Sequence, residues 1–389
     1  NSCILLCAAL LAAACSTTRR LGTDEVLYTG VRKIRIEPDS GVVLSAAAES
    51  AVKEPLSVAP NNPLYSPYIR TPLPIGLWAY NYLYTPRQKG FKYWLFKRLA
   101  KQPVLISKVQ PRLRTKVAEQ VLENYGYFGS HAADSLLYRK HGRKAKVYYT
   151  LGIAPPWHYS KIAYPEVDSG MEHLMDSLRA TSLLRVGAQY NMDSLTLERK
   201  RISQLLRNRG YYYFRPEFIS YQADTIMNPG KVALRISTKP GLPRTVLRPW
   251  KIGDISVFLN GYNNEPPTDS IRYKDMTIFY EGKLRIRPKV LYDRLKFRPG
   301  DLYSQQQQEN TQTGFSRLGI FRYSEMQYIP KDTARRCDTL NLQINTVYDL
   351  PLDGELELNV TTKSNDQTGP GAIFSVTKRN IFGLSLIHI

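Results

Sequence analysis

The sequence predicts an α+β chain in which a strand–helix–helix–strand–strand unit occurs three times in tandem, followed by the first strands of a transmembrane β-barrel. Three observations predict it. A glycine closes a helix-like stretch at "NYGYFGS" (124–130), "NRGYYYF" (208–214) and "RLGIFRY" (317–323). An alternating apolar strand follows each glycine at a nearly constant offset. Beyond Leu350 the alternation continues without any helix-like stretch between the strands.

The chain begins with an uncharged apolar run, Ile4 to Ala14, that stops at Cys15. A membrane-spanning helix needs roughly 20 apolar residues, so this run fits the core of a secretory signal instead. Ala12, Ala13 and Ala14 stand directly before Cys15, which reads as a lipobox with Cys15 as the lipid attachment point. Ala12 stands where such motifs more often carry leucine. On this reading 1–14 is a partial signal segment and 15–26 a lipid-anchored linker. The chain opens at Asn1 with neither methionine nor a charged leader, so its natural start is expected upstream. With Cys3 and Cys7 removed and Cys15 acylated, Cys337 is left without a partner for an internal disulfide.

A length of 389 residues suits two to four domains on a soft prior of about 100–200 residues each. The net charge of +21 lies wholly after residue 15 and is dispersed. A secretory start disfavours nucleic acid as the counter-charge and favours anionic headgroups, lipopolysaccharide or acidic client segments.

The first unit, 27–155, starts at "LYTGVRKIRIE" (27–37) and carries an insertion with a Pro/Asn-rich stretch at 60–74. Its second helix presents Val117, Val121, Leu122 and Tyr125, with Thr115 as cap and Gly126 as stop. The second unit, 156–243, has a strand at "HYSKIAY" (158–164) and a helix over Met171 to Leu184. A further helix presents Leu195, Ile202, Leu205 and Leu206 between the cap Asp193 and the stop Gly210. The third unit, 244–348, carries an insertion, with a strand at "WKIGDISVFL" (250–259) and a helix over Pro288 to Phe297. Ser304 and Gln307 then form a capping box, Phe315 and Leu318 a buried face, and Gly319 the stop. "QQQQ" (305–308) falls on the exposed side of that helix.

The closing strands alternate: Val147, Tyr149, Leu151; Val232, Leu234, Ile236; and Leu340, Leu342, Ile344. They start 21, 22 and 21 residues after their glycines. "GAQYNMDS" (187–194) parallels "GDLYSQQQ" (300–307), with Gly and Tyr three apart in both. In 349–389, "GELELNVTT" (354–362) and "AIFSVTKRN" (372–380) each carry one apolar face and flank the turn "NDQTGPG" (365–371). Two strands cannot close in lipid, so the rest of a barrel is expected beyond Ile389.

The order of these motifs resembles the BamA/TamA superfamily of outer-membrane assembly factors, whose periplasmic POTRA domains precede a barrel. "PGDLYS" (299–304) with "LGIFRY" (318–323) resembles the last POTRA domain, and "RNIFG" (379–383) the end of the second barrel strand. "CSTTRRL" (15–21) followed by "LYTGVRKI" (27–34) resembles the lipidated TamA-like proteins of Bacteroidetes-type bacteria. The resemblance implies an outer-membrane location with a lipid anchor and periplasmic POTRA domains. It implies as partners the outer-membrane bilayer, unfolded outer-membrane or surface client proteins and a periplasm-spanning TamB-like protein, with no nucleic acid.

No catalytic constellation emerges, so neither an enzyme nor a cofactor or metal is expected. His131, His141, His158, His173 and His388 lack the spacing of a zinc-protease helix, and no nucleophile elbow or P-loop occurs. "HGRK" (141–144) reads as a basic turn. Of the tyrosine clusters, "YYYF" (211–214) suits a core, whereas "WAYNYLY" (78–84) suits either a core or an exposed partner surface. Function then falls to exposed sheet edges that accept an extended strand. The candidates are the strands after the glycines, at Glu217, Ile219 and Tyr221 (217–223) and at Phe321 and Tyr323 (321–329). Which strand lies outermost is not fixed by sequence. A two-partner-type secretion transporter and an envelope-binding structural lipoprotein without a barrel are the alternatives.

Overall fold

The computed structural model describes residues 17–60, 75–86, 89–164, 174, 178–226, 228–332, 337–350, 352–362 and 368–378. The expected signal segment, Cys15, the 61–74 part of the insertion, most of the helix expected over 171–184, and "RNIFG" lie outside them. Two compact units form: Asn1–Tyr164 with Leu183–Thr196 and Tyr221–Arg235, and Pro165–Ser182 with Leu197–Ser220 and Ile236–Ile389. The middle copy of the repeat supplies residues to both.

In the first unit, β1 (Leu27–Pro38), α1 (Ala46–Leu56), α2 (Ile75–Tyr82), α3 (Phe91–Leu99), α4 (Ile106–Val109), α5 (Pro111–Asn124), β2 (His131–Arg139) and β3 (Lys144–Ile153) follow in order. The sheet order is β1-β3-β2, with β1 parallel and β2 antiparallel to β3. Val147, Tyr149 and Leu151 of the central strand are fully buried against Ala48, Val52 and Leu56 of α1 and Ala118 and Leu122 of α5. Ser45 caps α1, its Oγ accepting from Ala48 N at 3.3 Å.

Helix α5 departs from expectation at its start. Thr115 lies inside it, buried, and its Oγ1 donates to Arg112 O at 2.9 Å, so it caps nothing. The helix opens instead with Pro111, after Gln110 turns the chain at φ 51°. The buried face is Pro111, Thr115, Ala118 and Leu122, which leaves Val117 exposed. The basic turn is as sequence suggests: Lys140, His141 and Gly142 all have positive φ between β2 and β3.

The next copy has β4 (His158–Ala163), α6 (Met192–Arg207), β5 (Ile219–Asp224) and β6 (Lys231–Thr238), with sheet order β4-β6-β5 and β4 parallel to β6. The helix cap is Asn191, whose Oδ1 accepts from Asp193 N at 2.7 Å; Asp193 itself sits in the first turn. Leu195, Ile202 and Leu206 are buried, and Leu205 is half-buried. Glu198 is fully buried and is neutralised by Arg201, which reaches it through Nε at 2.8 Å and Nη2 at 2.7 Å.

The second unit contains β7 (Lys251–Asn260), β8 (Asp269–Tyr273), β9 (Met276–Tyr280), α7 (Pro288–Arg294), α8 (Gln305–Ser316), β10 (Phe321–Pro330) and β11 (Thr339–Tyr348). Its sheet order is β10-β11-β7-β9-β8. The insertion is thus a hairpin that adds two strands beside β7. Helix α7 stops at Arg294, shorter than expected, because Leu295 turns extended at ψ 123° while Leu295 and Phe297 still enter the core. Only half of the capping box forms: Ser304 Oγ accepts from Gln307 N at 3.4 Å, but the buried Gln307 Oε1 has no partner among the described residues. Nor are the glutamines merely an exposed face, since Gln308 Oε1 accepts from Tyr303 Oη at 2.8 Å.

The chain ends in the antiparallel pair β12 (Leu352–Thr362) and β13 (Thr368–Lys378). Leu356 faces Phe374 across the pair, and both are exposed, as are Leu358 and Val360. The predicted turn is shorter than 365–371, because Thr368 to Gly371 are already paired with Thr362 to Asn359. No closed barrel occurs among the described residues.

Candidate strand-pairing edges

In each copy the strand after the glycine lies at an end of its sheet: β2, β5 and β10. An end strand directs every second backbone N–H and C=O away from its partner. In the third copy the hairpin β8–β9 covers β7, so the sheet ends are β10 and β8.

The bond from Lys331 N to Thr339 O, 2.9 Å, fixes the phase of the β10–β11 ladder. Counting back along the antiparallel register, Ile329, Gln327 and Glu325 pair inward, and Ser324, Met326 and Tyr328 turn their backbone outward. Pro330 falls on an outward position, where a missing N–H removes no ladder bond. Gln312 of α8 donates through Nε2 to Ser324 O at 2.8 Å. Met326 and Tyr328 keep both outward groups for a further strand, with the Ser324 N–H and the Pro330 carbonyl beside them.

Strand β2 repeats this arrangement. Ala132 N donates to Glu119 Oε1 of α5 at 2.8 Å, which marks Ala132, Asp134 and Leu136 as the outward positions. Asp134 and Leu136 border a groove of about 600 Å³ whose other wall is Ile106, Gln110 and Leu113. Sequence reasoning passed over this edge, although "HAADSLLYR" follows Gly126 by the same rule that selected the other two.

Strand β5 is less open than expected. Glu217 lies in a 3₁₀ turn (Pro216–Phe218) rather than in the strand. Ile219 is buried and its N–H is bonded to Pro216 O, so it offers no donor. Tyr221 is committed through its hydroxyl to Leu195 O at 2.9 Å. In β10, Phe321 packs on Phe315 and Tyr348 where the ladder register shifts. Tyr323 is exposed and donates to Glu325 at 2.7 Å, a bond that raises its pKa.

The three glycines all have positive φ, 85° at Gly126, 102° at Gly210 and 63° at Gly319, but their surroundings differ. A Cβ on Gly126 would lie 2.6 Å from Tyr190 O, and one on Gly210 would lie 2.8 Å from Pro249 Cβ. Gly126 O accepts from Trp157 N at 2.9 Å, and Tyr190 N donates to Trp157 O at 2.8 Å. Gly210 O likewise accepts from Trp250 N at 2.8 Å, and Tyr303 N donates to Trp250 O at 2.9 Å. Each of these glycines therefore admits the start of the next copy of the repeat. Gly319 has open space around it.

Aromatic rings fill both junctions. Phe128 lies 5.0 Å from Trp157 and 5.2 Å from Tyr190, and Tyr212 lies 4.9 Å from Tyr303. Burial pushes the Tyr303 hydroxyl up to about 12, and Tyr328, whose buried hydroxyl has no partner among the described residues, is raised as well. Among the described residues no group of three or more His, Cys, Asp or Glu could hold a metal ion, and no helix is long and apolar enough to cross a membrane.

No protein-family model and no curated protein matches the chain. Among solved structures it is similar to BamA POTRA domains 3–5 of Haemophilus influenzae, at 11% identity over 84% of this chain and 99% of that one, with a TM-score of 0.38. It is also similar to BamA from Haemophilus ducreyi lacking POTRA domains 1–3, at 12% identity over 59% of this chain and TM-score 0.39. CdiB from Acinetobacter baumannii gives 15% identity over 60% of this chain and TM-score 0.27. The chain spans 36% and 37% of those last two proteins. The functional reading rests on the edges themselves.

Proposed function

We propose that this chain is a non-enzymatic factor of outer-membrane protein assembly or translocation. Its POTRA-like units take up extended client or partner segments by β-augmentation, and its terminal strands begin the barrel that admits them to the membrane. The observation that carries this reading is the outward backbone of β2 beside its groove, repeated in kind at β10. Backbone pairing reads main-chain groups more than side chains, which suits varied clients. The apolar face of β12 and β13 supports the barrel, and the apolar run ending at Cys15 supports a lipid anchor. A periplasm-spanning TamB-like protein is a further partner on this reading.

A photoreactive residue in place of Leu136, in the groove, tests the reading. It should crosslink an unfolded outer-membrane β-barrel polypeptide, whereas the same probe at the exposed Ser50 of α1, away from either sheet end, should not. Equal crosslinking at both positions would remove the groove from the mechanism.

A further inference from the structure

Helix α3 buries none of its residues. Its inner side meets α2 and the turn after it, with the Phe96 ring 6.3 Å from Tyr80 and 5.7 Å from Tyr84. On the other side Phe91 and Trp94 stack at 5.6 Å while 75% and 57% exposed. Helical spacing puts Leu95 and Arg98 on this same side, and Lys92 and Lys97 flank it. An open aromatic pair on a short helix is unfavourable in water and calls for a cover.

Charge identifies the cover. Between Glu54 and Glu119 the sequence contains no Asp or Glu, while Lys89, Lys92, Lys97, Arg98 and Lys101 surround α3. A patch this one-sided repels a second copy of itself and attracts an anionic surface. Tryptophan settles at the headgroup level of a bilayer, and lysine and arginine stems extend their charge to the phosphates from there. The start of the described chain is held at the same place: Asn81 Nδ2 of α2 donates to Thr17 O at 3.2 Å, and Arg20 N donates to Asn81 Oδ1 at 3.0 Å. Leu21 joins Leu27, Leu77 and Leu105 in a small separate core.

We infer that α3 is a membrane-docking helix that lies on an anionic phospholipid bilayer, with Phe91 and Trp94 entering the interface and Lys92, Lys97 and Arg98 on the headgroup phosphates. The inference does not need lipid attachment at Cys15, and the attached lipid would hold α3 at the same surface.

The test uses the full chain carrying Cys15→Ser, so that the acyl anchor plays no part. It is mixed with vesicles of phosphatidylglycerol and phosphatidylethanolamine, or of phosphatidylcholine alone, with brominated acyl chains that quench an inserted indole. Trp94 is the exposed one among four tryptophans, so quenching reports on α3. Anionic vesicles should quench and neutral ones should not, and Trp94→Phe should remove the signal. Phe91→Ser and the pair Lys92→Glu/Lys97→Glu should each raise the lipid needed for half-quenching about tenfold or more. Unfolding midpoints should stay put, because Phe91, Lys92 and Lys97 are all exposed. Absence of quenching on anionic vesicles, equal quenching on neutral ones, or an unchanged half-point in both variants would overturn the inference. A dimer in solution that Phe91→Ser dissociates, with Trp94 unquenched throughout, would give the face to a second copy and overturn it equally.

Discussion

Arg207 donates through Nη2 to the hydroxyl of Tyr303 at 2.8 Å, and that hydroxyl in turn donates to Gln308 Oε1 at 2.8 Å. The relay ties the end of α6 to the entry of α8 within the second unit. Tyr303 is fully buried, so neither neighbour regains water when the hydroxyl is removed. Tyr303→Phe should therefore lower the stability of this unit by about 1–3 kcal/mol, although it deletes one atom. Urea unfolding checks this, and a loss within error would mean that solvent reaches Arg207 and Gln308.

The three turn glycines should not be equally costly to replace. Gly319→Ala meets only the backbone penalty of positive φ, about 1 kcal/mol. Gly210→Ala adds a Cβ pressed against Pro249, and Gly126→Ala one pressed against the Tyr190 carbonyl. Denaturation midpoints should fall least for Gly319→Ala and most for Gly126→Ala, whose obstacle is backbone. Three equal shifts would assign all the cost to φ.

Prolines at the outward positions of β10 separate pairing from folding. Ser324→Pro/Met326→Pro removes two outward donors and no ladder bond, just as native Pro330 does. Met326→Ala controls for lost packing. The double variant should fold and reach the membrane yet lower the abundance of other outer-membrane barrel proteins. Normal envelope composition in that strain would rule out β10 as a pairing edge.

Alkaline pH should unfold the chain through its tyrosines. Burial pushes Tyr28, Tyr149, Tyr159 and Tyr303 each up to about 12. Unfolded tyrosine releases its proton near ~10, so the folded form binds more protons in between. The stabilisation is complete below pH ~10 and is lost as pH rises through about 12. Tyrosinate absorbance should rise in two steps, the second coinciding with loss of circular dichroism. A single step near the ordinary value with the fold intact would show these hydroxyls to be hydrated.

The central strands are plain in the sequence because one face packs in the core while the other stays partly exposed, which leaves an alternation: Tyr149, Leu234 and Leu342 all lie where the period of two puts them. Caps were harder. Thr115 and Asp193 have the right side chains near helix starts, but Pro111 and Asn191 open those helices, and a one-position drift of the 3.6 period exchanges Val117 for Ala118. Edges are a property of long-range pairing, so no local pattern put β3 between β1 and β2 or announced that β8–β9 would cover β7. Nor does a glycine codon reveal its neighbours, which is why Gly126, Gly210 and Gly319 read alike and behave differently.

Strand β10 leaves a short landing. Gln312 takes the carbonyl of Ser324 at one end, and Pro330 offers no donor at the other, so Met326 and Tyr328 keep both outward groups, flanked by the Ser324 N–H and the Pro330 carbonyl. Four to six backbone bonds at about 1 kcal/mol net each, less the cost of bringing two chains together, leave a dissociation constant of about millimolar order or weaker. Such a grip lets go quickly. On the proposed reading, a segment held this weakly would be passed along rather than stored, and tight retention would require several landings occupied by one chain at once.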